Sequence, residues 1–167
     1  MRVPADVKSA EVLPLCSVLD IQKHPAPLIS LIAKKKRIQA AAKIARWQMT
    51  SGMKILVLED EPLIAMDLED LLTSKGFMVV GPFFTAAAAS DGLDQGKPQA
   101  ALLDIHLMNE TSFDLARELK RRGMPFAFMT GLVAPNLLPT DLLGSPIILK
   151  PYNEKELLAF LAAAPTG

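Results

Sequence analysis

Three acids, a hydroxyl and an amine recur at one kind of place in this chain. Asp104 ends the apolar run Ala101-Leu102-Leu103. Glu59-Asp60 ends Ile55-Leu56-Val57-Leu58, Thr130 ends Phe126-Ala127-Phe128-Met129, and Lys150 ends Ile147-Ile148-Leu149. Two adjacent carboxylates and a third from a separate run suit a hard divalent cation such as Mg²⁺, which takes oxygen ligands and keeps several waters. An ammonium and a hydroxyl alongside suit an anion. Together these groups suit phosphoryl transfer onto Asp104. A carboxylate can serve as a covalent nucleophile, and fixed positive charge and positioning do most of the work in that chemistry. Singly, each residue has a plainer explanation. Acids gather at helix N-termini, Thr130 could be an ordinary strand-end hydroxyl, and Lys150-Pro151 could be a turn. What carries the reading is the whole set at the same edge of every run. Two histidines and one cysteine make a zinc site a poor fit.

The runs that bear these groups read as buried parallel strands, because they are continuously apolar and separated by helix-like stretches. In an open parallel sheet the chemistry collects beyond the carboxyl ends of the strands. Between the strands, Glu61-Pro62 opens a helix with proline in the first turn. Its stripe is Ile64, Leu68, Leu71 and Leu72, and Lys75-Gly76 closes it. Phe77 to Val80 reads as a second strand, stopped by Gly81-Pro82. Thr85 can cap a weak second helix, with Gly92 inside it. Thr111-Ser112-Phe113-Asp114 looks like a capping-box start, with Leu115, Ala116 and Leu119 facing inward. Gly131 to Ser145 holds Pro135, Pro139 and Gly144 and supports no regular fourth helix. Asn153 with Glu156 caps a last helix, buried along Leu157, Leu158 and Leu161. The alternation predicts a five-stranded parallel sheet with helices on both faces.

The bulk numbers allow one such domain plus an appendage. The chain has 167 residues, half of them hydrophobic, which is enough for a core. Its formal net charge of +0 hides an asymmetry. Residues 1–52 carry nine Lys/Arg against three Asp/Glu, and the remainder is acidic. A lone cysteine, Cys16, excludes an intrachain disulfide and agrees with a reducing compartment. No apolar run approaches a membrane span and no signal peptide is visible, so a cytoplasmic location without membrane insertion is expected. Residues 1–52 read as an irregular, partly helical, basic extension. Lys34-Lys35-Lys36-Arg37 could contact nucleic acid or an acidic membrane surface, but a solvated tail explains it as well and nothing matches a DNA-reading motif, so no nucleic acid is expected. Met53-Lys54-Ile55 is itself a natural start, which leaves a native origin near Met53 as an alternative.

Residues 53–164 resemble the receiver domain of two-component response regulators. The resemblance rests on Glu59-Asp60 as the acidic pair, Asp104 as phospho-acceptor, Thr130 as switch hydroxyl and Lys150 followed by Pro151. It implies an α/β, flavodoxin-like (βα)5 fold with strand order 2-1-3-4-5. It also implies a Lys150–Pro151 peptide that is often cis, and Mg²⁺ held by Glu59, Asp60, Asp104 and the backbone carbonyl of His106. The switch position usually held by an aromatic residue is Ile147. Pro125 to Gly131 resembles the FATGUY subgroup, which is similar in lacking that ring and a regular fourth helix. The implied function is a stand-alone receiver, since the chain ends just past the last helix. It would accept phosphate from a histidine kinase or histidine phosphotransfer protein and signal to a downstream protein, with no separate substrate turnover. The alternative is an interaction module that works without phosphate. A glycine-rich nucleotide-binding loop is missing after the first strand, which disfavours a dinucleotide fold.

Overall fold

In the computed structural model, residues 31–39, 52–132, 134 and 136–164 are described. The chain divides into two units between Ala42 and Lys43. In the first, residues 31–39 form an exposed helical stretch that contains the basic run. The expected boundary at residues 52 and 53 borders positions outside the described residues.

The second unit alternates strand and helix. Its order is β1 (Lys54–Leu58), α1 (Pro62–Ser74), β2 (Met78–Phe83), α2 (Ala86–Gly96), β3 (Ala100–Asp104), α3 (Phe113–Arg121), β4 (Phe126–Thr130), β5 (Ile147–Leu149) and α4 (Glu154–Ala163). Among the described residues between β4 and β5, the one helical element is a 3-10 turn, Thr140–Leu142, where a fourth crossover helix would stand. The strands form one parallel sheet in the order β2-β1-β3-β4-β5. This is the expected flavodoxin-like fold. The β3 and β4 strands are buried at every residue, which is why they read as unbroken apolar runs.

Strand alternation sorts the core into two layers. Ile55, Val57, Leu102, Ala127, Met129 and Ile148 face α1 and α4, meeting Leu68, Leu72, Leu157 and Leu161. Leu56, Leu58, Ala101, Leu103 and Phe128 face the other way, against Ala89, Leu93, Leu115 and Leu119 of α2 and α3. Each fully buried leucine contributes roughly 1.5–3 kcal/mol relative to exposure.

Several local expectations change in the structure. The buried stripe of α1 is Ala65, Leu68 and Leu72, with Ile64 and Leu71 only half-buried, because the sheet meets a narrower face than the sequence suggests. Strand β2 does not stop at Gly81-Pro82. It runs through a cis Gly81–Pro82 bond to Phe83, with a register shift against β1 between Leu56 and Leu58. At Gly92 a Cβ would lie 2.1 Å from the Phe83 ring, so this glycine gives the ring its space and does not merely weaken α2. The capping box before α3 does not form. Ser112 makes no side-chain cap, and its buried hydroxyl has no hydrogen-bond partner. Thr85 and Asn153 do cap their helices, accepting from the backbone N–H groups of Ala88 and Lys155. The Lys150–Pro151 bond is cis.

Candidate functional site

The carboxyl edges of β3, β4 and β5 meet at a cavity of about 670 Å³, with Glu61 lining it from the segment after β1; Glu59 and Asp60 do not line it. Asp104, His106, Thr130 and Lys150 line it, together with Leu63, Ile64, Asp67, Leu132 and Tyr152. The parallel register explains the convergence. Leu58 pairs with Leu103, Asp104 with Met129 and Thr130 with Leu149, so residues just past these positions share one edge.

Lys150 is the hub. Its Nζ lies 2.6 Å from Asp104 Oδ2 and 2.5 Å from Glu59 Oε2. The contact to Asp104 is a directed hydrogen bond. The contact to Glu59 is an ion pair only, and Glu59 Oε2 accepts no well-directed hydrogen bond. The other oxygen of Asp104, Oδ1, accepts the His106 backbone N–H at 3.1 Å. Glu59 is almost wholly buried, and its Oε1 takes only a long 3.4 Å bond from the Glu61 N–H. Burial pushes the Glu59 carboxyl up to about 7. The Asp104 charge adds to that rise, while Lys150 and the Glu61 N–H oppose it. Burial works against the Lys150 ammonium too, yet its hydrogen bond to Asp104 and its ion pair with Glu59 outweigh it and hold the pKa above the ordinary lysine value.

The acids also suit a cation. One carboxylate oxygen from each of Glu59, Asp60 and Asp104 lies within 4.8 Å of the others. Oxygens around an octahedral Mg²⁺ stand roughly 3 to 4.2 Å apart, so small side-chain rotations bring this set to coordination. The undirected lone pairs of Glu59 are what such an ion would use.

Thr130 is buried at the end of β4. Its hydroxyl accepts the Leu132 N–H at 3.1 Å, and its carbonyl accepts the Lys150 N–H at 2.7 Å. Ile147 sits half-buried against the core layer of α2 and α3. The imidazole-bearing residue His106 is exposed at the start of the loop after β3.

Sequence reasoning passed over three groups at this edge. The Tyr152 hydroxyl donates to Asp67 at the rim of the cavity. Burial first, then that bond, raise its pKa above the ordinary phenol range. Glu110, in the loop after β3, accepts the Ala86 N–H at 2.9 Å. Leu63, on α1, is exposed at the cavity wall. None has a spacing signal, because each acts across the fold.

A family model described as the response regulator receiver domain matches residues 55–162. The phyllosphere-induced regulator PhyR of Methylorubrum extorquens is 29% identical over 97% of this chain and 65% of its own length. The chain spans about half the length of the curated relatives it matches. Among solved structures, the anti-anti-sigma factor PhyR from Bartonella quintana superposes with a TM-score of 0.63 at 32% identity, covering 77% of this chain and 53% of that one. SdrG from Sphingomonas melonis Fr1 superposes at 0.56 with 35% identity, covering 66% of this chain and 97% of that one.

Proposed function

This chain belongs to the response regulator receiver domain family, and from that membership we propose that it takes a phosphoryl group onto Asp104 from a histidine kinase or a histidine phosphotransfer protein. The observation that carries the reading is the bonding of Asp104. Lys150 grips one of its oxygens and the His106 N–H orients the other, beside the two acids of β1 and under the mouth of one cavity.

The roles follow from charge and position. Asp104 attacks phosphorus, and the donor imidazole leaves as its P–N bond breaks. Lys150 then turns from the carboxylate to the new phosphoryl oxygens, its raised pKa keeping it charged throughout. Thr130 offers a hydroxyl at the same edge, once it gives up the Leu132 N–H. Glu59, Asp60, Asp104 and the His106 carbonyl would hold Mg²⁺, whose charge offsets the phosphoryl oxygens. The cytoplasm, where kinases and phosphotransfer proteins deliver such groups, is the working compartment. No helix among the described residues is long and apolar enough to cross a membrane.

A downstream partner class comes from the relatives. The Bartonella quintana protein is described as an anti-anti-sigma factor, which makes an anti-sigma factor the first target to test here.

Incubation with a small phosphodonor and Mg²⁺ should add one phosphoryl group to the intact protein, read by mass. Asp104→Asn should add none. Equal labelling of the variant sinks the assignment. Labelling failure in the parent, with partner binding unchanged in Asp104→Asn, favours the phosphate-independent interaction module.

A further inference from the structure

The loop between β3 and α3, residues 105–112, carries the His106 carbonyl assigned above to the metal. Its own bonds give it shape. The Leu107 N–H donates to the Glu110 carbonyl at 3.0 Å, the Ser112 N–H donates to the Ile105 carbonyl at 3.2 Å, and His106 and Thr111 form an isolated bridge. These bonds do not set the distance from the loop to the acids of β1. The loop is tied to β3 by the His106 N–H to Asp104 Oδ1 and to β4 by the Ile105 N–H to the Met129 carbonyl; its side-chain tie to α2 runs from the Ala86 N–H to Glu110 Oε1, at 2.9 Å.

Ala86 is the first residue of α2, where backbone N–H groups lack helical partners and the dipole favours a carboxylate. Thr85 already takes the Ala88 N–H, so Glu110 fills a separate vacancy. Three residues earlier, the Phe83 carbonyl accepts the Glu59 N–H at 2.9 Å. The short strap from Phe83 to Ala86 thus holds the β1 acid at one end and the β3 loop at the other. Phe83 is itself seated where Gly92 makes room.

We infer that Glu110 is a positioning residue, which ties the acceptor loop to the same strap that anchors the Glu59 backbone and so, together with the His106–Asp104 bond, sets the span between the β1 acids and the His106 carbonyl. The inference rests on the receiver reading, and it adds a residue whose role lies outside the cleft. Groups that orient metal ligands from behind typically matter by 10–100-fold in affinity.

The test uses the full chain and three variants. Glu110→Ala loses the acceptor. Glu110→Gln keeps an acceptor oxygen and removes the charge. Thr85→Ala weakens the same helix start without touching the loop. Mg²⁺ affinity is measured by titration, and exchange of the His106 and Leu107 amides is measured in metal-free protein. Glu110→Ala should bind Mg²⁺ about 10-fold more weakly and exchange those amides faster. Glu110→Gln should return both close to the parent, and Thr85→Ala should lower the melting temperature while leaving Mg²⁺ affinity alone. Parental affinity in Glu110→Ala overturns the inference. So does Glu110→Gln as weak as alanine, which would make the effect one of charge, or Thr85→Ala as weak, which would make it one of stability. Labelling by phosphodonor, run alongside, separates the two ideas. A labelled parent with an unaffected Glu110→Ala removes the Glu110 role alone, and a parent that neither labels nor binds Mg²⁺ removes both.

Discussion

Two loops leave the chemical edge of the sheet, and they are held in opposite ways. The one after β3 is bonded within itself and tied to α2 by Glu110, close to Asp104. The one after β4 is exposed at its described residues near the cleft and fastened at its far end. Gly131 and Leu132 are exposed, and the nearest bond is the Leu132 N–H to the Thr130 hydroxyl. Farther on, Leu142 is wholly buried in the layer of α2 and α3. Beside it Asp141 receives Arg117 at 2.7 Å, and its carbonyl accepts Lys120. The lesson is a division of labour. The loop after β3, proposed above to present a metal ligand, is braced at the site. The loop after β4 is braced away from it, at Asp141 and Leu142.

An order–disorder switch running from Gly131 to Ser145 would not fit this bracing. Leu137 and Leu138 already pack against the core layer, so they are not a surface waiting to form. Val133 lies outside the described residues. The proposal that remains concerns the stretch next to Thr130.

Leu142→Ala should have the largest effect. Cutting a wholly buried leucine to alanine costs about 2–5 kcal/mol, read by denaturant unfolding. Phosphodonor labelling of the folded fraction should persist, since the plug is remote from Asp104. If labelling is lost while the protein stays folded, the two loops are not separate devices.

The braced side is sharpened by pH. A carboxyl whose folded pKa exceeds its unfolded value holds more protons when folded, so stability falls as pH rises between the two. For Glu59 that window runs from the ordinary 4.5 to about 7. Metal-free protein should therefore lose stability across that range, and Glu59→Gln should flatten the slope. Mg²⁺ should bind more weakly below about pH 7, where Glu59 takes up a proton. A slope unchanged in Glu59→Gln would place the titration elsewhere.

A phosphoryl mimic should change amide exchange at Leu132, Ala134 and Asn136 and leave Leu142 and Leu143 as they were. Uniform change from 131 to 145 would break the contrast. Uniform silence would move the output to another face.

The smallest effect belongs to Asp141→Asn. Its carboxylate is exposed, and the Arg117 bond holds its pKa below the ordinary range. Exposed pairs of this kind contribute little and are screened by salt. Melting should barely move, while exchange at Leu142 and Leu143 should quicken, and high salt should produce the same quickening in the parent.

Local chemistry alone made the fold and the cleft legible. Continuous apolar runs declared buried parallel strands, and because every such strand ends at one edge, the residues Glu59, Asp60, Asp104, Thr130 and Lys150 could be placed together from order alone. Pro135, Pro139 and Gly144 forecast the lost helix, since proline removes a donor and clashes with the preceding turn. Other features needed the tertiary structure. The strand through Gly81-Pro82, the room that Gly92 leaves for Phe83 and the unformed cap at Ser112 are set by what lies opposite in space. The Glu110 tie joins residues 24 apart in sequence through a helix start that only folding brings near. Glu59 reads as one more acid beside a helix, and its high pKa arises from burial first and the Asp104 charge second, against the pull of a lysine far along the chain. Periodicity and strand ends are properties of neighbours in sequence, whereas burial, braces and pKa values are properties of neighbours in space.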